Sequence, residues 1–251
     1  MKSARVIFGA AGAALAVFCC IAHPAGARNE VPEAGGVEND YTGRRMQMIE
    51  RQIKARGIDD PEILEAFAKV PRHSFVPERL KNRAYADRAL PIGEGQTISQ
   101  PYIVAYMTRA IDPEKTDRVL EVGTGSGYQA AILAELCKQV YTVEIIETLS
   151  RTAEKMLAEL EYDNVHVKTG DGYKGWPEHA PFDAIIVTCS PADIPEPLKK
   201  QLAEGGKMII PVGESYDQEL VLLEKKEGKL VEKQVLPVVF VPMVDEKGET
   251  Y

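Results

Sequence analysis

The chain is predicted to adopt an α/β fold: a doubly wound, mostly parallel sheet with an antiparallel C-terminal edge, preceded by a helical cap. Three observations predict it. Between Arg118 and Pro211, short strands apolar on both faces alternate with helical stretches. The first of these strands runs into a glycine loop, Gly123-Thr124-Gly125-Ser126-Gly127. After Pro211 the rhythm changes to two strand-like runs flanking a Glu227-Gly228 turn, the pattern of a hairpin.

The amino-terminal stretch stands apart from this pattern. Lys2 and Arg5 precede 16 uncharged residues from Val6 to Ile21, and Ala25-Gly26-Ala27 offers a small-x-small cleavage pattern. Residues 1–27 therefore read as an export signal. The apolar run falls short of the roughly 20 residues of a spanning helix, so no stable membrane insertion is expected after cleavage. Bulky Phe18 stands where a lipoprotein signal ahead of Cys19 would want a small residue. Cleavage after Ala27 takes 27 residues from 251 and leaves 224; losing two cations moves the net charge from −8 to −10. A periplasmic or exported protein is the expectation. Residues 28–43, rich in Gly, Pro and acid, are expected to form a flexible leader.

The folded part is expected to be one domain over residues 44–244, with residues 245–251 as a tail. Arg44 to Arg56 carries Met46, Ile49 and Ile53 at helical spacing. Asp60-Pro61-Glu62 reads as an N-cap, a first-turn proline and a first-turn acid, followed by the apolar face Ile63, Ala66, Phe67 and Val70. Pro71 to Gln100 reads as loop. Pro101 to Ala110 reads as a further helix, completing a cap and substrate-side segment over residues 44–112.

The sheet core is expected over residues 113–244. Strands are predicted at Arg118–Val122, Gln139–Val143, Val165–Lys168, Phe182–Val187 and Lys207–Pro211. Helices are predicted at Tyr128–Leu136, Thr148–Leu160 and Pro195–Leu202. Glu219–Lys225 and Leu230–Val241 are the hairpin strands. Trp176 is read as part of a packed loop.

Composition sets limits on function. Residues are 45% hydrophobic, 27% charged and 7% aromatic, which excludes a wholly disordered or collagen-like chain. Acids outnumber Lys and Arg by 38 to 30. Gripping a phosphate backbone needs many cationic contacts, so nucleic acid is not an expected partner. His73, His166 and His179 are scattered and no CxxC is present, so no metal is expected. In the mature chain Cys137 and Cys189 are read as reduced core thiols.

The glycine loop lies where open α/β sheets bind ligands, at the carboxyl ends of strands. Alone it also fits a plain tight turn. The dinucleotide pattern G-x-G-x-x-G fails, because its sixth position is Tyr128. Glu144 ends the second strand, where an acid holds ribose hydroxyls, and Asp171 in Gly170-Asp171-Gly172 follows the third. Either acid taken singly also fits a solvated surface position. Together, Glu121, Gly123, Thr124, Gly125, Ser126, Gly127, Glu144, Asp171 and Gly172 resemble the cofactor site of Rossmann-like S-adenosyl-L-methionine-dependent methyltransferases.

The segment ahead of the sheet narrows this further. Ala84-Tyr85-Ala86-Asp87 and Pro91-Ile92-Gly93-Glu94-Gly95-Gln96-Thr97-Ile98-Ser99-Gln100-Pro101 are joined by Arg72-His73-Ser74-Phe75-Val76-Pro77, Ile210-Pro211-Val212-Gly213 and Phe240-Val241-Pro242-Met243. This ordered set resembles the protein-L-isoaspartate O-methyltransferases from about Arg44 to Val244. The resemblance implies methylation of the free α-carboxylate of L-isoaspartyl residues in damaged proteins and peptides; a monomer is a separate expectation. The resemblance also implies Ser99 as the active-site residue, with Thr97, Ile98, Val241 and Pro242 at the peptide. The export signal is unusual for such enzymes, which are typically cytosolic, so a cytoplasmic location is the alternative.

On residue chemistry alone, Ser99 also fits a plain helix N-cap, and Val241-Pro242 an ordinary strand end. The reaction itself asks little of side chains. A carboxylate with a pKa of about 4 is already ionised at neutral pH, so no general base is needed. The enzyme's work is alignment. Rival readings fit less well. A nucleic-acid amino-methyltransferase would carry an Asp/Asn-Pro-Pro-aromatic turn where this chain has Thr188-Cys189-Ser190-Pro191-Ala192. A nicotinamide oxidoreductase wants the third glycine. A binding module without turnover would not need Gln96-Thr97-Ile98-Ser99.

Overall fold

The computed structural model describes residues 41–214 and 217–251. The expected export signal, and the leader up to residue 40, lie outside the described residues. Helix α1 runs over Tyr41–Met48, so the folded part begins earlier than the boundary expected at residue 44. The single helix expected to Arg56 is instead three pieces. A π-helical turn at Ile49–Ile53 and a 3-10 turn at Lys54–Arg56 follow α1, and Gly57 ends the run in the left-handed region. Met48, Ile49 and Ile53 are buried, whereas Met46, expected on the same apolar face, is exposed.

Helix α2, Pro61–Lys69, forms as its sequence predicts. The Asp60 carboxylate accepts from the backbone N–H of Glu62 at 3.0 Å and of Ile63 at 3.1 Å, and Pro61 opens the first turn. Ile63, Ala66 and Phe67 are its buried face. The stretch expected to be all loop holds a small hairpin. Strand β1 (Leu90–Gly93) pairs antiparallel with β2 (Gln96–Ile98). Its turn residues Glu94 and Gly95 both have positive φ, 50° and 69°, as a tight hairpin turn requires. Strands this short leave almost no alternation to read. Helix α3 spans Pro101–Ile111, with Val104, Ala105, Met107 and Ile111 in the core.

The main sheet has seven strands in the order β5-β4-β3-β6-β7-β8-β9. They are β3 (Arg118–Val122), β4 (Gln139–Glu144), β5 (Val165–Thr169), β6 (Phe182–Val187), β7 (Leu202–Glu214), β8 (Asp217–Lys226) and β9 (Lys229–Val238). Strands β3 to β7 are parallel, and β8 and β9 add antiparallel to the edge, as predicted. Strand β7 starts five residues before the predicted Lys207, because its irregular first half still pairs Leu202 with Phe182. Strand β9 stops at Val238, short of the predicted Val241.

Helices α4 (Tyr128–Ala134), α5 (Glu147–Glu159) and α6 (Glu196–Gln201) cross between strands. One apolar cluster joins the cap helices, α4 and one sheet face; the second fills the opposite face around Leu120, Tyr141, Phe182 and Met208. The chain winds one way from β3 through β5 and the other way from β6 onward. The reversal falls between β3 and β6, so their carboxyl ends, at Gly123 and Thr188, mark the switch point where such sheets bind ligands.

The cap of α2 supplies a stability test. Asp60→Ala removes the acceptor for two N–H groups and should cost about 1 kcal/mol, read as a lower urea midpoint at unchanged slope.

Candidate active site

The glycine loop turns out of β3 under tight steric control. Gly123 sits at φ +94°, and a Cβ there would collide with the Thr188 hydroxyl. That hydroxyl bonds the carbonyls of Gly123 at 2.6 Å and Val122 at 3.0 Å, stitching the ends of β3 and β6 together. Gly172 has the same constraint from another side, since its Cβ would lie 2.5 Å from Val122 Cγ1. Thr124 is buried beneath the loop, where its hydroxyl meets that of Thr142 at 2.6 Å.

Thr142 in turn donates to the carboxyl of Glu121 at 2.6 Å. Glu121 is wholly buried. Burial pushes its carboxyl up to about 8, against the Thr142 hydrogen bond and with help from the charge of Glu144. At neutral pH Glu121 is therefore largely a neutral acid under the loop. Glu144 stands above it, at the end of β4. One carboxylate oxygen accepts from the N–H of Gly125 at 2.7 Å, the other from that of Ile146 at 3.0 Å. Burial raises the Glu144 carboxyl and these backbone donors oppose the rise.

A cavity opens over this loop. Its walls include Gly123, Gly125, Val143, Glu144, Ile145, Ile146 and Gly172, with Gln96 and Thr97 of the hairpin, Thr188, and Val241 to Val244. Apolar walls with a carboxylate and glycine backbone at one end suit a compact nucleoside. A second cleft adjoins it, lined by Asp87, Arg88, Thr97, Ser99, Gln100, Thr188 and Pro237 to Val241. The two share Thr97, Thr188 and Val241.

Ser99 lies half-buried in this second cleft. The N-cap position of α3 belongs to Gln100, so the N-cap reading of Ser99 is set aside. Its carbonyl is held by a buried cation: Arg72, 0% exposed, donates Nη2 to the Ser99 carbonyl at 2.7 Å and Nε to the Ala84 carbonyl at 2.7 Å. Its guanidinium also lies 4.8 Å from the centre of the Tyr128 ring, at the start of α4.

Among the predicted residues, Gly123, Gly125, Glu144 and Gly172 meet in the first cavity, Ser99 lines the second, and Thr97 and Val241 line both. Pro242 lines the first only. Ile98 departs from its predicted place at the peptide: its side chain is buried in the core, because β2 turns alternate residues inward. Glu121 and Thr124 support the loop from below. Gly127 packs near Ala153 and Leu157, and Ser126 faces a separate hollow beside Phe75 and Met156. The Asp171 carboxylate is taken up by neighbours outside the cavity. Cys137 is buried as expected, but Cys189 lines the cavity, and burial raises both thiols.

Sequence reasoning missed Gln96, Ile145, Ile146 and Thr188 as lining residues and Arg72 as a support. A position directly after Glu144 or after β6 was the available signal for Ile145 and Thr188. Nothing in the local sequence marks Arg72 as buried. Among the described residues no group of three or more His, Cys, Asp and Glu converges as a metal site, and no helix is long and apolar enough to cross a membrane.

Comparison with known proteins agrees with this geometry. Residues 43–248 match the family model for protein-L-isoaspartate(D-aspartate) O-methyltransferase. The chain is 52% identical over 228 residues to a protein-L-isoaspartate O-methyltransferase of Synechococcus sp., covering 88% of this chain and 93% of that one. It is 53% identical to that of Opitutus terrae, over 84% and 91% of the two chains. A solved protein-L-isoaspartate O-methyltransferase superposes with a TM-score of 0.75 at 31% identity, covering 81% of this chain and 67% of that one. A Plasmodium falciparum beta-aspartate methyltransferase (PCMT) in complex with S-adenosyl-L-homocysteine gives 0.69 at 28% identity, over 82% and 99%.

The buried acid predicts a pH dependence. Its pKa rises from 4.5 in the unfolded chain to about 8 in the folded one. The stability tied to its neutral form is full below 4.5 and is lost as pH climbs through 8. Glu121→Gln should therefore gain stability relative to the unchanged chain between pH 5 and pH 8.5, measured as the difference in Tm. A gap that stays constant across this range would show that Glu121 does not titrate there.

Proposed function

The chain belongs to the protein-L-isoaspartate(D-aspartate) O-methyltransferase family, and from that premise we propose how its residues divide the work. The enzyme methylates isoaspartyl residues in protein repair. The observation that carries the residue assignment is the junction of the two cavities at Thr97, Thr188 and Val241. A donor in one and a peptide in the other would meet there.

In this reading S-adenosyl-L-methionine is the methyl donor and occupies the glycine-loop cavity, consistent with the relative solved with S-adenosyl-L-homocysteine. Glu144 would hold the ribose through the lone pairs its backbone donors leave free, and Ile145 and Ile146 would flank the base. When bound there, the sulfonium supplies an electrophilic methyl and departs as a neutral thioether. Ser99 orients the substrate carboxylate as a hydrogen-bond donor, and Arg72 holds the Ser99 backbone in place. Thr97 and Val241 close the junction against water. The carboxylate is ionised before it binds, so neither a base nor a metal is required. The methyl ester product then loses methanol as a backbone nitrogen attacks it, giving a succinimide that hydrolyses in part to normal aspartate. The parent substrates are damaged proteins and peptides carrying L-isoaspartate.

The compartment belongs to the same proposal. The charged start, uncharged run and small-x-small pattern within residues 1–27 support export, so a periplasmic or secreted enzyme is the reading, with the cytoplasm as the alternative. N-terminal sequencing after fractionation should read Arg28 first, in the periplasmic or secreted fraction. A cytosolic product beginning at Met1 would overturn export.

The catalytic assignment is checked with labelled donor and paired peptides that differ only in isoaspartate against aspartate. Label should enter the isoaspartyl peptide alone. Ser99→Ala should lower kcat/KM by about 10²-fold, the usual effect of losing one oriented donor, with S-adenosyl-L-homocysteine affinity and Tm unchanged. Full turnover in that variant would remove Ser99 from the mechanism.

A further inference from the structure

Residues 245–251 were expected to trail off as a tail, yet they fold back onto the sheet. The Asp245 carboxylate accepts from the N–H groups of Lys247 and Glu249, which makes a compact turn. Val244 then bridges Thr250 antiparallel. Tyr251 is pinned at four points. Its N–H reaches the Met243 carbonyl at 3.2 Å, its carbonyl accepts from Ala192 at 2.9 Å, and its ring stacks on Tyr173 with centroids 4.2 Å apart. Its hydroxyl donates to Asp171 Oδ2 at 2.7 Å.

Asp171 is one of the acids that the resemblance puts in the cofactor site, yet it lines neither cavity. Its side chain is 3% exposed. One oxygen holds the N–H of Tyr173 at 3.0 Å, closing the turn that contains Gly172. The other takes Tyr251 and Lys174, the latter at 3.0 Å. Lys174 is 67% exposed and also within 3.9 Å of Glu246, so it is a loose partner shared with another acid. The fixed donor is Tyr251.

Two walls of the first cavity meet in this residue. Gly172 lines it from the turn that Asp171 closes, and Met243 and Val244 line it from the strap that Tyr251 anchors. We propose that Tyr251 is a positioning residue for the cofactor: its hydroxyl fixes the Asp171 carboxylate and so holds the Gly172 turn and the Val241–Val244 strap in register around the nucleoside. The proposal rests on the reading of this cavity as the S-adenosyl-L-methionine site. It assigns Tyr251 no contact with substrate or donor and no part in methyl transfer itself.

The test is calorimetric titration of S-adenosyl-L-homocysteine into the full chain and its Tyr251→Phe variant, beside steady-state kinetics. Phe keeps the stacked ring and removes only the hydroxyl. Kd for S-adenosyl-L-homocysteine and KM for S-adenosyl-L-methionine should rise about threefold to tenfold, the range of one net hydrogen bond. Peptide KM and kcat at saturating donor should stay unchanged, and Tm should fall by no more than the loss of one part-buried hydrogen bond gives. Unchanged affinity in Tyr251→Phe overturns the proposal. Tighter binding also overturns it, since the hydroxyl would then compete for Asp171. A fall in kcat with unchanged affinity overturns it as well. If the unchanged chain binds no S-adenosyl-L-homocysteine, the cofactor reading itself falls, and this assignment with it.

Discussion

A single buried guanidinium ties the segment around Ser99 to the helix that follows the glycine loop. Arg72 is fully enclosed and forms no ion pair among the described residues. Burial lowers its pKa to about 10, which still leaves it charged at neutral pH. A buried cation is costly unless its hydrogens are used. Here Nε and Nη2 are spent on the carbonyls of Ala84 and Ser99, and the Tyr128 ring lies beside the guanidinium, while Nη1 is buried without an acceptor among the described residues. The hairpin segment that carries Ser99 is thereby tied to the helix that leaves the glycine loop. An apolar residue in place of Arg72 would leave two buried carbonyls unsatisfied.

The loop itself is held from beneath by a short polar chain. Glu121, Thr142 and Thr124 are each buried and joined in order by hydrogen bonds of 2.6 Å. A charged Glu121 would face Glu144 across a dry interior, and the neutral acid avoids that repulsion. Glu144 keeps its place through backbone donors from the loop and from the start of α5. Two acids close together thus serve different ends, one as a scaffold and one facing the cavity.

The net acidity of the chain does not conflict with an anionic substrate. The second cleft is lined by Ser99 and the exposed Arg88, while the carboxylate of Asp87 is engaged by Arg56 and Gln100. Local placement of donors sets the field a substrate feels, and the summed charge sets solubility and partner class.

Much of the fold was legible because periodicity and punctuation are local. The strands of the parallel sheet, the Asp60 cap, the glycine loop and the final hairpin each rest on residues within a few positions of one another. The family resemblance lay equally in contiguous stretches around Ser99, Asp171 and Val241. The hairpin at Leu90–Ile98 escaped because its strands are too short to show alternation, and the break after Met48 because apolar spacing does not distinguish an α from a π turn. Ile98 was misplaced because a motif names a position but not the face its side chain takes. What only the tertiary structure decided are the long-range pairings. Arg72 with Ser99, Glu121 with Thr142, and Asp171 with Tyr251 are separated by 27, 21 and 80 residues. Such pairs leave no periodic trace, since burial and hydrogen bonding are assigned only when the sheet has brought distant segments together.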